Sequence, residues 1–122
     1  MAKVLLVDDD DTVLYSLSRA LKQAGYEVLE ASNGLAVVDI ISKNQPDILV
    51  TDLIMPEQEG ISTITKVKEL YPDLPIIAIS GGGRNLGSDF LDIAMYIGAN
   101  ATLAKPFDES ELIALIEKHI SH

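Results

Sequence analysis

Short apolar runs alternate along this chain with stretches in which apolar residues recur every three or four positions. Lys3-Val4-Leu5-Leu6-Val7 is nearly continuous, and Asp8 to Asp11 end it. Val13, Leu17, Ala20, Leu21 and Ala24 then recur at helical spacing until Gly25 stops the pattern. Tyr26 to Ala31 reads as a second strand. Asn33 can cap a helix carrying Leu35, Val37, Val38, Ile40 and Ile41, which Pro46 closes. Asp47 to Thr51 is a third strand ending at Asp52, followed by a loop with Pro56 and Gly60. Ile61, Ile64, Val67 and Leu70 mark a third helix, with Pro72 and Pro75 at its exit. Pro75 to Ser80 is a fourth strand, followed by Gly81-Gly82-Gly83. A helix from about Ser88 to Ile97, a short strand from Ala101 to Ala104 and a helix from Asp108 to Ile120 complete the chain.

The pattern is (βα)5, an α/β chain. Short strands separated by helices of ten to fifteen residues imply a parallel sheet covered on both faces. Right-handed crossovers then favour a doubly wound sheet. In such sheets ligands bind beyond the carboxyl ends of the strands.

The length of 122 residues suits one domain, expected to span 1–122 without an output domain. Hydrophobic residues make up 48% and aromatics 5%, so the core is aliphatic. The formal charge of −10 disfavours direct contact with nucleic acid or an anionic membrane. Cysteine is absent, which excludes disulfides, thiolate metal sites and cysteine nucleophiles. No apolar run approaches the ~18 residues of a membrane span. A cytoplasmic location is therefore expected.

Polar chemistry collects at the strand ends. Asp8 and Asp9 follow the first strand, Asp52 the third, Ser80 the fourth and Lys105 the fifth. Taken singly, each has an ordinary explanation. Asp8 to Asp11 can cap a helix, Asp52 and Ser80 suit turns, and Lys105 suits a surface. Their equivalent positions favour convergence in one cleft. Two unit charges ~5 Å apart repel by roughly 3 kcal/mol at an effective dielectric of ~20, so three carboxylates there call for a cation or a raised pKa. A partial set of hard oxygen ligands suits Mg²⁺, which commonly shares its shell with phosphate. A carboxylate beside such a pair can act as a nucleophile and form an aspartyl phosphate.

Several segments together resemble a response-regulator receiver domain, the phosphoacceptor of two-component signalling. They are Val4-Leu5-Leu6-Val7-Asp8-Asp9, Leu49 to Pro56 with Gly60, Pro75 to Ser80, Gly98-Ala99 and Lys105-Pro106-Phe107. The resemblance covers essentially the whole chain. It implies a flavodoxin-like sheet of order 2-1-3-4-5 and Asp52 as the phosphorylated residue. It also implies Mg²⁺ held by Asp8, Asp9, Asp52 and the backbone carbonyl of Ile54. Lys105 would bond a phosphoryl oxygen, the Lys105–Pro106 bond would be cis, and Ser80 would be the hydroxyl that moves toward the phosphoryl group. The donor would be a phosphohistidine on a sensor histidine kinase or a phosphotransfer protein. Such a domain signals, and is no enzyme beyond catalysing its own phosphorylation and dephosphorylation.

Two positions depart from that family's usual pattern. Thr102 stands where an aromatic residue is usual, so an aromatic rotamer switch cannot operate there. Gly81 follows Ser80 where alanine is usual, and opens a glycine run that can move as a backbone segment. The fourth helix carries Phe90, Leu91, Ile93, Ala94, Met95, Tyr96 and Ile97, more apolar surface than packing on a sheet requires. The face formed by the fourth helix, fifth strand and last helix is therefore expected to contact a downstream protein or a second copy.

Two other readings compete. One is a receiver-like interaction module that never takes phosphate, as Thr102 would allow. The other is a haloacid-dehalogenase-type phosphatase, with Asp8 as nucleophile in Asp8-x-Asp10-x-Thr12, Ser80 as its hydroxyl and Asp89 or Asp92 as late acids. Lys105 lies on the wrong side of those acids, and this reading leaves Asp52 and Lys105-Pro106-Phe107 unexplained.

Overall fold

A computed structural model of the protein describes residues 2–53, 59–80 and 92–120. Five strands, β1 (Lys3–Val7), β2 (Glu27–Ala31), β3 (Ile48–Asp52), β4 (Ile76–Ser80) and β5 (Ala101–Ala104), form one sheet. Its order is β2-β1-β3-β4-β5, and every neighbouring pair is parallel. The helices are α1 (Asp11–Gln23), α2 (Val37–Asn44), α3 (Glu59–Leu70) and α5 (Glu109–His119), with α4 helical over 92–97. The beginning expected for α4 near Ser88, and the glycines from Gly81 to Gly83, lie outside the described residues.

Alternation along the strands divides the core in two. Val4 and Leu6 of β1, Ile48 and Val50 of β3, and Ile77 and Ile79 of β4 pack against α1 and α5 through Leu14, Leu17, Leu21, Leu112 and Ile116. Leu5, Val7, Leu49, Ile76 and Ala78 point the other way, onto Val37 and Ile41 of α2, Ile64 and Val67 of α3, and Ala94 of α4. Both faces of the three central strands are therefore buried, which is why they read as apolar runs and not as alternating ones. The edge strands are less buried and carry Glu27, Glu30 and Thr102.

The helices follow the expected periodicity with local shifts. The buried stripe of α1 is Leu14, Leu17, Ser18 and Leu21, while Val13 only packs at its margin and Ala24 is the exposed C-cap. Asn33 does cap a turn, accepting from the Leu35 N–H at 2.9 Å. That turn is the 3-10 segment Gly34–Ala36, and α2 starts only at Val37. Leu35 therefore misses the helical face its spacing suggests and is 87% exposed. Gly60, read from the sequence as a loop residue, lies in the first turn of α3.

Candidate functional site

Parallel pairing brings all five carboxyl ends of the strands to one rim, and side chains from three of them, β1, β3 and β5, meet there. Asp52 is the last residue of β3 and is 5% exposed. Asp8 follows β1 and is 2% exposed. Asp9, beside it, is exposed. One carboxylate oxygen from each of these three acids lies within 4.8 Å of the others. Lys105 reaches into the group from beyond β5. Its Nζ donates to Asp8 Oδ2 at 3.1 Å and to Asp52 Oδ2 at 3.2 Å.

Local structure fixes each partner. The Asp8 N–H donates to the Ala31 carbonyl at 3.2 Å, which ties the end of β1 to the end of β2. Asp8 Oδ1 accepts from the Asp10 N–H at 2.9 Å. Asp10 in turn is the N-cap of α1, and its Oδ1 accepts from the N–H groups of Thr12 and Val13 at 2.9 and 3.4 Å. The run Asp8 to Asp11 thus does both things its composition allowed. Asp8 and Asp9 face the rim, while Asp10 caps the helix and Asp11 begins it. Lys105 is held by its own N–H, which donates to the Ser80 carbonyl at 2.8 Å, and it is followed by a cis bond to Pro106.

Charge does not balance within this group. One ammonium among three carboxylates leaves two negative charges on the rim. For Lys105, burial is the largest single effect and acts to lower its pKa. The charges of Asp52 and Asp8, with the hydrogen bonds to both, outweigh it and leave the ammonium above the ordinary lysine value. Remaining negative charge and several hard oxygen donors fit a small divalent cation, so the acids can hold one.

The other residues singled out in the sequence fall as follows. Ser80 ends β4 on the same rim, and its Oγ is buried without a hydrogen-bond partner among the described residues. Thr102 is half-buried on β5, opposite Ala78 in the register. Ile54, Gly81 and Asp89 lie outside the described residues. Asp92 is exposed on α4. The phosphatase arrangement does not assemble, because the Asp10 carboxylate is drawn off to the helix cap and is not among the converging acids. A cleft of about 400 Å³ opens next to Lys105, between α1 and the start of α5, lined by Thr12, Val13, Ser16, Pro106, Phe107 and Glu109 among others.

Two residues important to this geometry have contacts there that the sequence did not show. Gly60 packs so closely that a Cβ would lie 2.5 Å from the Asp52 carbonyl oxygen and from Leu53 Cα. Its glycine was visible, but no local pattern showed what it touches. Thr51 donates its hydroxyl to the Asp52 carbonyl at 3.1 Å. A single hydroxyl inside an apolar strand gives no periodic signal.

The family model for the response regulator receiver domain matches residues 4–117, and the chain belongs to that family. It is the receiver domain of a two-component response regulator, a signalling domain. It is 35% identical over 119 residues to the DNA-binding transcriptional regulator NtrC of Escherichia coli strain K12, covering 98% of this chain and 25% of NtrC. The chain thus spans about a quarter of that relative's length. It is 29% identical over 118 residues to sporulation initiation phosphotransferase F of Bacillus subtilis strain 168, covering 97% of this chain and 93% of that protein. A response regulator receiver domain protein from Clostridium thermocellum superposes with a TM-score of 0.90 at 31% identity, covering 98% of this chain and 94% of that one.

Proposed function

We propose that Asp52 accepts a phosphoryl group from a phosphohistidine, and that the acyl phosphate changes what this domain binds. A carboxylate oxygen of Asp52 forms the new bond to phosphorus. The phosphorus–nitrogen bond of the donor breaks, and its electron pair returns to the imidazole. The observation that carries this reading is the Lys105 ammonium bridging Asp8 and Asp52, with Asp9 within reach of both.

Each residue has a separate task. Asp52 is positioned at the end of β3 with its carboxylate already oriented by Lys105. On phosphorylation Lys105 transfers its hydrogen bond from the Asp52 carboxylate to a phosphoryl oxygen and offsets charge there. Asp8, Asp9 and Asp52 would hold Mg²⁺, joined by the Ile54 carbonyl that the family resemblance adds, and the bound ion would supply positive charge against the phosphoryl oxygens. Ser80 brings a hydroxyl that has no other partner among the described residues and is therefore available to the new oxygens. Thr102 gives this motion no aromatic ring to displace.

The donor is a sensor histidine kinase or a phosphotransfer protein, seated over the cleft beside Lys105. Output runs through the face of α4, β5 and α5, where Ile93, Met95 and Tyr96 are exposed. Among the described residues no helix is long and apolar enough to cross a membrane.

The test is incubation with acetyl phosphate and Mg²⁺, read by intact mass. Wild type is expected to gain one phosphoryl group, and Asp52→Asn none. Chelating the metal should abolish the gain. An adduct on both proteins would remove Asp52 from its role. No adduct on wild type would favour an interaction module that works without phosphate.

A further inference from the structure

We propose that Thr51 is a positioning residue for the phosphoacceptor, its hydroxyl locking the peptide between Asp52 and Leu53. This rests on the reading of Asp52 as the residue that takes the phosphoryl group.

All five residues of β3 are buried, and Thr51 is completely so. It shares its face of the sheet with Leu49 and Leu53, in the core under α2 and α3. Its register neighbours are Val7 and Ala78. Every one of these surroundings is aliphatic, and a hydroxyl buried there is unfavourable unless it finds an acceptor. The acceptor is the carbonyl of the next residue, Asp52, at 3.1 Å.

That carbonyl lies where the strand pairing runs out. The β1–β3 register ends at Val7 opposite Thr51. On the other side of the same peptide, the Leu53 N–H donates to the Ile79 carbonyl at 2.8 Å. Thr51 and Ile79 therefore hold the two ends of one peptide unit. Gly60 closes a third side, since even a methyl group there would lie 2.5 Å from the Asp52 oxygen. Held at both poles and pressed from the α3 side, this peptide has little freedom to rotate.

Its orientation sets the direction in which the Asp52 side chain leaves the backbone. The carboxylate must meet Lys105 at 3.2 Å and lie within 4.8 Å of the oxygens of Asp8 and Asp9. Reaction rates fall steeply when reacting groups are displaced by an ångström or so. Loss of the Thr51 hydroxyl should therefore slow the transfer step while leaving recognition of a small phosphodonor intact.

The experiment compares wild type, Thr51→Val and Thr51→Ser as full chains. Without metal or donor, hydrogen exchange of the Leu53 amide is followed by NMR. With Mg²⁺, phosphorylation by acetyl phosphate is followed to saturation. Thr51→Val is expected to exchange Leu53 about tenfold faster and to lower the maximal phosphorylation rate about tenfold, with half-saturation within about twofold. Thr51→Ser, which keeps the donor and loses only the methyl, is expected within about threefold of wild type on both measures. A Thr51→Val chain phosphorylated at the wild-type rate overturns the proposal, as does a Thr51→Ser chain as slow as Thr51→Val. A wild-type chain that takes no phosphoryl group overturns the reading of Asp52 itself, and the positioning role with it.

Discussion

Lys105 decides the electrostatics at the residue scale. Its ammonium is the cation between two carboxylates that are almost completely buried, while its own side chain keeps 25% exposure. Lys105→Met leaves Asp8 and Asp52 facing each other without it. Breaking a buried pair from one side typically destabilises by about 3–5 kcal/mol. Partial exposure screens this one, so a loss of about 1–3 kcal/mol is expected from urea unfolding in metal-free buffer near neutral pH. The pH dependence has a definite sign. The folded-state pKa of Lys105 lies above the ordinary 10.5, so its contribution is fully present below that value and is lost as pH rises through the folded value. The stability gap between wild type and Lys105→Met should hold from neutral pH up to the ordinary lysine range and narrow only beyond it. A gap that closes below pH 10 would mean that another group carries the effect. The strand-end residues Asp8, Asp9, Asp52, Ser80 and Lys105 were legible in the sequence because a parallel sheet forces such positions together. The division of labour within Asp8 to Asp11 was not. It depends on which carboxylate the first turn of α1 captures, and four adjacent aspartates give no sign of that. Thr51 was illegible for the opposite reason, being one polar residue in an apolar run.

At the scale of elements, the site depends on how α3 docks against the end of β3. The contact is backbone against backbone at Gly60. Gly60→Ala puts a methyl group where no flexible side chain can yield, so α3 must shift. Overpacking of this kind typically destabilises by about 1–3 kcal/mol, and here the displaced atoms include the Asp52 carbonyl. Both stability and the rate of phosphorylation by acetyl phosphate should fall. Gly25→Ala is the control, because Gly25 has a φ of +100° and open space around its Cβ position. Its cost is conformational, about 1 kcal/mol, and leaves the site alone. Equal phosphorylation rates in the two variants would mean that the α3 contact does not bear on Asp52. The strands were readable to within a residue because both faces of β1, β3 and β4 are buried. Helix faces were less so. Spacing alone put Leu35 on a helix, but Asn33 instead caps a 3-10 turn and leaves that leucine in solvent. Local capping chemistry outweighed periodicity there.

For the whole molecule, the governing quantities are a net charge of −10 and, among the described residues, an apolar surface confined to a few places. Like-charged copies repel over roughly a Debye length, about 8 Å at physiological salt, and a phosphoryl group adds to that repulsion. Contact between copies therefore has to come from a local apolar face. In α4, Ala94 is fully buried against the sheet while Ile93, Met95 and Tyr96 are 42%, 49% and 91% exposed. The helix thus presents a second apolar side that the core does not use. In α5, by contrast, Leu112 and Ile116 are buried and Ile113 and Leu115 pack at the margin of the core. The anchor points of a contact should then be Ile93 and Tyr96 and not the α5 leucines. Replacing them, as Ile93→Ser with Tyr96→Ser, should cost about 1–2 kcal/mol at the part-buried Ile93 and about 0.5 kcal/mol or less at Tyr96, and leave the rate of phosphorylation by acetyl phosphate unaltered. Sedimentation in the presence of an acyl-phosphate mimic should show wild type associating more strongly as salt is raised, because screening relieves the repulsion while the apolar contact persists. The double variant should stay monomeric throughout. Association that weakens with salt would point to an ionic contact elsewhere on the surface, and a double variant that unfolds would place these side chains in the core.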